Sequence, residues 1–283
     1  MSRLCLGTVQ FGMDYGLHGR TKTDLKEALE ILDLASGDIE YLDTAFAYGS
    51  ETVVGSRTEN FKIISKAPPE KLNANPNLLE ECLGSCERTK TLPLDGYLFH
   101  TPEHVYDDDL VRQLFTCKTA GYANNVGVSV YDLEEALRGV ELGFDYVQFP
   151  YSVLDRRFEK QNFFERAKDK GVTLFARSPF IQGLLARREA PKRLSVAQPF
   201  LDMFSEISMK HGFSNVESAL MFSITNPDVD FTVFGVHDTR QILENLHIVA
   251  NENVSEFSAC REELCDKLSY IPIAIVVASL WSK

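Results

Sequence analysis

The alternation of short apolar runs with amphipathic segments along this 283-residue chain predicts a single-domain (β/α)8 barrel. Three observations carry the prediction. Apolar runs recur eight times, each followed by a segment of helical periodicity or by a loop leading to one. No G-x-G-x-x-G joins the first run to its helix, which counts against a doubly wound dinucleotide-binding sheet. Most of the later runs end in a polar or charged residue, which a closed barrel gathers at one rim.

Taken in order, the strands are expected at residues 4–7, 39–43, 62–66, 94–100, 125–129, 146–150, 173–177 and 231–234. A Gly-rich loop, GTVQFGMDYGLHG, follows the first. Residues 23–35 carry Leu25, Ala28, Leu29 and Leu32 at helical spacing behind Thr23 as a cap. Further helices are expected at 77–88, 108–120, 133–141, 163–170, 201–210, 216–224 and 240–250. The barrel fills the chain, with one extra helix and a tail at about 255–283.

The composition, 44% hydrophobic and 25% charged, is that of an ordinary globular protein. A net charge of −12 argues against nucleic acid and against an anionic membrane surface as partners, because both reward clustered cations. The apolar run 271–281 is too short to span a bilayer. Six cysteines with no C-x-x-C pair and no framework spacing fit a reducing compartment, and the N-terminus lacks a basic-then-apolar leader, so a cytoplasmic location is expected.

The strand ends hold the chemistry. The second, third and fourth strands end in Asp43, Lys66 and His100, which consecutive barrel strands bring together, and Tyr48 lies on a Gly-flanked turn just above. A carboxylate closing a buried strand needs a cation, and Lys66 is the expected partner. Lysine beside a phenol is expected to lower its pKa, so Tyr48 reads as a general acid, and a histidine N–H can hold a carbonyl oxygen. No nucleophile accompanies the cluster, and Pro102 between His100 and His104 speaks against a helical metal pair, so no metal site is expected. The reducing group must come from a bound cofactor.

The motif LDTAxxYGxxE, here Asp43, Thr44, Ala45, Tyr48, Gly49 and Glu51, resembles the active-site signature of the aldo-keto reductases, and the resemblance extends over nearly the whole chain. It implies a catalytic tetrad of Asp43, Tyr48, Lys66 and His100 and hydride transfer between NADP(H), with NAD(H) not excluded, and a small-molecule carbonyl substrate. It maps the nicotinamide contacts to Ser129 and Gln148. The ring-stacking position and its neighbour fall on Arg177 and Ser178, and the cofactor loop and helix after the last strand on Gly235, Arg240, Gln241, Glu244 and Asn245. Three departures stand out. Val130 replaces the second amide-contacting residue, and Arg177 replaces the stacking aromatic. The basic pattern that clamps a 2′-phosphate is reduced to Arg240.

Two other functions fit parts of the pattern. A cofactor-binding regulatory module of the same fold is disfavoured by the intact tetrad. A phosphate-handling barrel would need a Gly-rich loop after the seventh and eighth strands, where this chain offers PFIQG and FGVHD. The loops after His100 and near the C-terminus read as short, which implies an open site able to take a sugar-like or otherwise bulky carbonyl compound.

Overall fold

A parallel strand covered on both sides needs apolar side chains at nearly every position, and the eight runs supply them. In the computed structural model of the chain, which describes residues 3–17, 21–74, 77–251, 254–277 and 280–281, they form β1 (Leu4–Gly7), β2 (Tyr41–Asp43), β3 (Lys62–Ala67), β4 (Leu94–Phe99), β5 (Ala123–Ser129), β6 (Tyr146–Pro150), β7 (Thr173–Arg177) and β8 (Phe231–Gly235). All pair in parallel, in chain order, and β8 closes onto β1.

Side chains alternate across a strand with period two. One set points outward and joins the helices in the main core, Leu6, Leu42, Ile63, Phe99, Val147 and Phe234 among them. The other set points inward and packs as a separate layer of Cys5, Tyr41, Ile64, Leu98, Tyr146, Phe175 and Val233. Its aromatic members interlock, with Phe175 stacked on Phe231 at 5.1 Å. Two residues further along the same strands come Gly7, Asp43, Lys66, His100, Gln148, Arg177 and Gly235. The polar strand ends are therefore the next inward layer, resting on an apolar floor.

Boundaries differ from expectation in informative ways. β2 begins at Tyr41, because Ile39 is used in an isolated bridge to Ser36. β3 runs one residue past Lys66, and β4 stops one residue before His100. The first helix, Leu25–Ala35, is capped by Asp24, whose carboxylate accepts from the Glu27 N–H at 3.0 Å, while the Thr23 hydroxyl donates to the His237 carbonyl. Carboxylate or hydroxyl caps also start Asp108–Thr119, Asn215–Ile224 and Thr239–Ala250.

The turn that carries Tyr48 is held from beneath. Glu51 is buried and accepts from Ser65 on β3 and from the Arg88 Nε, each at 2.5 Å. Ser50 joins Thr8 and Thr44 through hydroxyl contacts of 3.0 and 2.8 Å. Gly12 supports the same turn by having no side chain, since a Cβ there would collide with the Tyr48 carbonyl oxygen.

Beyond the barrel, the helix Val254–Lys267 packs through Phe257, Cys260 and Leu264, and Arg261 lies over the Phe222 ring. Among the described residues no helix is long and apolar enough to cross a membrane.

Candidate active site

Lys66, with no exposed surface, reaches from β3 to the Asp43 Oδ1 at 2.6 Å and donates to the Thr44 carbonyl at 3.0 Å. The register explains the reach. Asp43 is level with Ile64, so Lys66 starts two residues higher and its chain folds back along the inward face. The same Oδ1 accepts from Gln148 Nε2 at 2.7 Å, and Gln148 Oε1 in turn accepts from the Ser129 hydroxyl at 3.3 Å. Asp43 and Lys66 of the tetrad and the two amide-contact residues mapped from sequence thus form one hydrogen-bonded set across β2, β3, β5 and β6.

Tyr48 covers this set from above. Its ring lies 5.0 Å from Lys66 Nζ and meets His100 edge-to-face at 5.3 Å. The expected lowering of its pKa by Lys66 is not what the structure gives. The phenol is pushed well above its ordinary value by burial first and by the Asp43 charge second, while the cation pulling it down is Arg177. The reason is geometric: Lys66 sits against the ring face and is already spent on Asp43. Tyr48 is consequently a fully protonated phenol near neutral pH.

His100 is held down to about 3, by burial and by the Lys66 and Arg177 charges. It is a neutral imidazole throughout the physiological range, and its Nδ1 is buried without a partner among the described residues. A neutral imidazole presents one N–H donor. His104, by contrast, is engaged with Thr101 Oγ1 at 3.3 Å and Asn73 Oδ1 at 3.2 Å.

These groups open into a cavity of about 1050 Å³ that also reaches Ser178, Gly235, Gln241, Glu244 and Asn245. Arg240 does not line it. It points outward, its side chain 87% exposed and paired with Asp238 at 3.2 Å. Val130 does not line it either: it is packed into the outer core, and its carbonyl accepts from Arg177 Nη2 at 2.9 Å. The loop after β7 holds Ser178, Ile181 and Gln182 at positive φ, an uncommon conformation for such residues that recurs at ligand sites. Its Gln182 carbonyl accepts from the Leu17 N–H, tying it to the loop after β1.

Several lining residues were not singled out from the sequence. Gln10, 5% exposed, has an Oε1 with no partner among the described residues and occupies the space beside Gly235 that a side chain there would need. Tyr15 also lines the cavity, its phenol pushed up to about 12 by burial. Both stand in the Gly-rich loop after β1, where the carboxyl-end rule could have found them. The tail was read as leaving the site open, yet Ile273, Val276, Val277, Leu280 and Trp281 form a wall of the cavity. His211 meets Glu263 of the helix Val254–Lys267 at 2.7 Å.

The rim offers what an elongated polar ligand with a planar head requires. Three of the six buried side-chain atoms without a partner among the described residues, on Gln10, His100 and Arg177, belong to residues lining this one cavity. Such unsatisfied groups are costly unless a ligand meets them. The residues therefore fit a nicotinamide cofactor.

The chain thus offers a phenol and a neutral imidazole in contact, two groups able to donate to one oxygen in a carbonyl oxidation–reduction. It belongs to the aldo/keto reductase family, whose model matches residues 3–264. The uncharacterized oxidoreductase YrpG of Bacillus subtilis (strain 168) is 26% identical over 294 aligned positions, spanning 88% of this chain and 87% of its own. The fold matches that of the aldo-keto reductase AKR11C1 from Bacillus halodurans in its holo form, with a TM-score of 0.76, 23% identity and coverage of 99% and 95% of the two chains. It also matches the thermostable aldo-keto reductase Tm1743 in complex with the inhibitor epalrestat, with a TM-score of 0.71, 23% identity and coverage of 93% and 95%.

Lys66→Met should cost about 3–5 kcal/mol of stability, because Asp43 is left as an unpaired buried charge. The double variant Lys66→Met/Asp43→Asn should recover much of that loss in a denaturant titration; equal losses in the two would mean the pair is not the stabilising unit. His100 gives a pH signature. Its folded pKa lies below its unfolded one, so the unfolded chain alone takes up this proton as pH falls below about 6.5, and stability declines from there down towards pH 3. Thermal melts across that range should show a shallower acid loss for His100→Asn than for wild type.

Proposed function

We propose that this chain reduces an aldehyde or ketone to the alcohol with NADP(H), NAD(H) serving less well, and with Tyr48 as the proton donor. The observation that carries the reading is the contact of Tyr48 with His100 directly above the buried Lys66–Asp43 pair. A nicotinamide, when bound, supplies the hydride that adds to the carbonyl carbon. Everything else falls to the protein.

His100, neutral, donates its N–H to the carbonyl oxygen and fixes the carbon in front of the hydride source. Tyr48 gives its proton to that oxygen as charge builds on it. A phenol raised by burial is a weaker acid than tyrosine in water, but an alkoxide is a stronger base still, so the transfer remains downhill. The new O–H and C–H bonds complete the alcohol, and Tyr48 is reprotonated from solvent. Asp43 and Lys66 act beneath, fixing the inward layer so that the phenol and imidazole keep their contact.

On the cofactor side, Ser129, Gln148, Arg177 and Ser178 would meet the ring, and Gly235, Gln241, Glu244 and Asn245 the far end. Arg240, outside the cavity at the exposed start of the helix Thr239–Ala250, is the cation that would turn from Asp238 to a 2′-phosphate. A cavity of about 1050 Å³ closed on one side by the apolar tail accommodates a sugar-like or otherwise bulky carbonyl compound. A cytoplasmic setting belongs to the same reading, supported by six free cysteines.

Tyr48→Phe should bind the reduced cofactor as wild type does and lose about 10²–10⁴-fold in carbonyl reduction. Absorbance of the reduced cofactor during turnover reports the rate, and a near wild-type rate would remove Tyr48 from the chemistry. Arg240→Ala should weaken NADPH by about 1.5–3 kcal/mol, the worth of a charge-assisted contact, and leave NADH nearly unchanged. Calorimetric titration of both cofactors decides this, and parallel weakening would place the 2′-phosphate elsewhere.

A further inference from the structure

Arg177 differs from two neighbouring cations, Lys66 beneath the cavity and Arg157 in its lining, by what it lacks. Lys66 is neutralised by Asp43, and Arg157 by Asp155 and Asp132. Arg177 has no carboxylate within ion-pair distance among the described residues. Its Nη2 is bound to the Val130 carbonyl, its guanidinium lies 4.6 Å from the Tyr131 ring, and its Nε is buried without a partner. The side chain is thus fixed by neutral groups, so its full charge is left to act on the cavity. That charge is felt at Tyr15, Tyr48 and His100, which border the same space. The position is enforced by the fold, since Arg177 is two residues above the inward Phe175 and level with Pro150 of the neighbouring β6.

We propose that Arg177 is a redox-selective residue, which makes the site hold a reduced nicotinamide more tightly than an oxidised one. The inference rests on the reading of this cavity as a nicotinamide site and deepens it. A dihydronicotinamide ring is neutral, whereas the oxidised ring carries a positive charge. To serve a carbonyl carbon held by Tyr48 and His100, the ring must lie where the Arg177 field already reaches both of them. Two unit charges of the same sign several ångströms apart in a partly dry site disfavour the oxidised form by about ten- to a hundredfold. Reduced cofactor is thereby retained, oxidised cofactor is released, and the site is biased toward reduction. An aromatic ring at this position would stack on either form with no such bias. The backbone carbonyl at Val130, a group any residue there would present, belongs to the same device, because it anchors the guanidinium.

The test is a matched set of dissociation constants, read by fluorescence or calorimetry on the full chain with NADPH, NADP⁺, NADH and NAD⁺. The ratio of oxidised to reduced constants cancels any contribution of the 2′-phosphate, so the phosphorylated and unphosphorylated pairs should give the same answer. Wild type should favour the reduced form at least tenfold in both pairs. Arg177→Leu should bring the ratio down about tenfold or more, chiefly by tightening the oxidised form, and Arg177→Lys should keep it. If Arg177→Leu does not fold, as judged by its thermal melt, Arg177→Gln replaces it. A wild-type ratio near one, an unchanged ratio in the uncharged variant, or an equal loss in Arg177→Lys would overturn the proposal while leaving the site's reading intact. No binding of any of the four by wild type would overturn that reading, and this proposal with it.

Discussion

A lysine with no exposed surface and an aspartate with almost none cannot be taken out of water singly. Asp43 and Lys66 are admitted to the barrel interior only as a pair, and only because the aspartate gains a second donor in Gln148 and the lysine a second acceptor in the Thr44 carbonyl. Such a pair adds little stability over an apolar alternative of the same volume. What it adds is place. Once its members are fixed, β2, β3 and β6 are tied at one level, Ser129 is drawn in through Gln148, and the Lys66 ammonium becomes the surface on which the Tyr48 ring rests.

The apolar layer below makes this arrangement affordable. Cys5, Tyr41, Ile64, Leu98, Tyr146, Phe175 and Val233 close the barrel beneath the ion pair, so water has no route to it from that side. The polar layer is the continuation of the same strands by one more inward step. Above it, polarity changes again, with Ile273, Val276, Val277, Leu280 and Trp281 of the tail supplying an apolar wall. The site is therefore a polar stratum between two apolar ones. Charges inside it act at low effective dielectric, which is why burial dominates the behaviour of Tyr48 and His100 and why one unneutralised guanidinium matters.

Much of this was legible in the sequence, and the limits were physical. The strands could be read because runs buried on both faces leave unbroken apolar stretches, and Asp43, Lys66 and His100 could be placed because a charged residue at such an end has few alternatives. The start of β2 was misread because Ile39 is as apolar as a strand residue but spends its bonding on a bridge to Ser36. The influence of Lys66 on Tyr48 was misjudged because sequence gives adjacency but not which part of a ring an ammonium meets. The tail's contribution depends on a return across the barrel mouth that no local pattern encodes. The coupling of Val130 to Arg177 joins residues on different sides of β6, and only the closed sheet brings them together. Gln10 and Tyr15 were within reach, since they follow a strand end like the residues that were found.

If this rim directs a hydride from a nicotinamide onto a carbonyl carbon while Tyr48 supplies the proton, one hydrogen at ring position 4 of the reduced cofactor must end on the alcohol carbon. The most direct measurement uses reduced cofactor deuterated at ring position 4, a panel of aldehydes and ketosugars, and mass spectrometry of the alcohol formed in ordinary water. One of the two cofactor stereoisomers should deliver its deuterium to the former carbonyl carbon and the other should not. Product carrying no deuterium from either isomer, or consumption of no member of the panel, would contradict it.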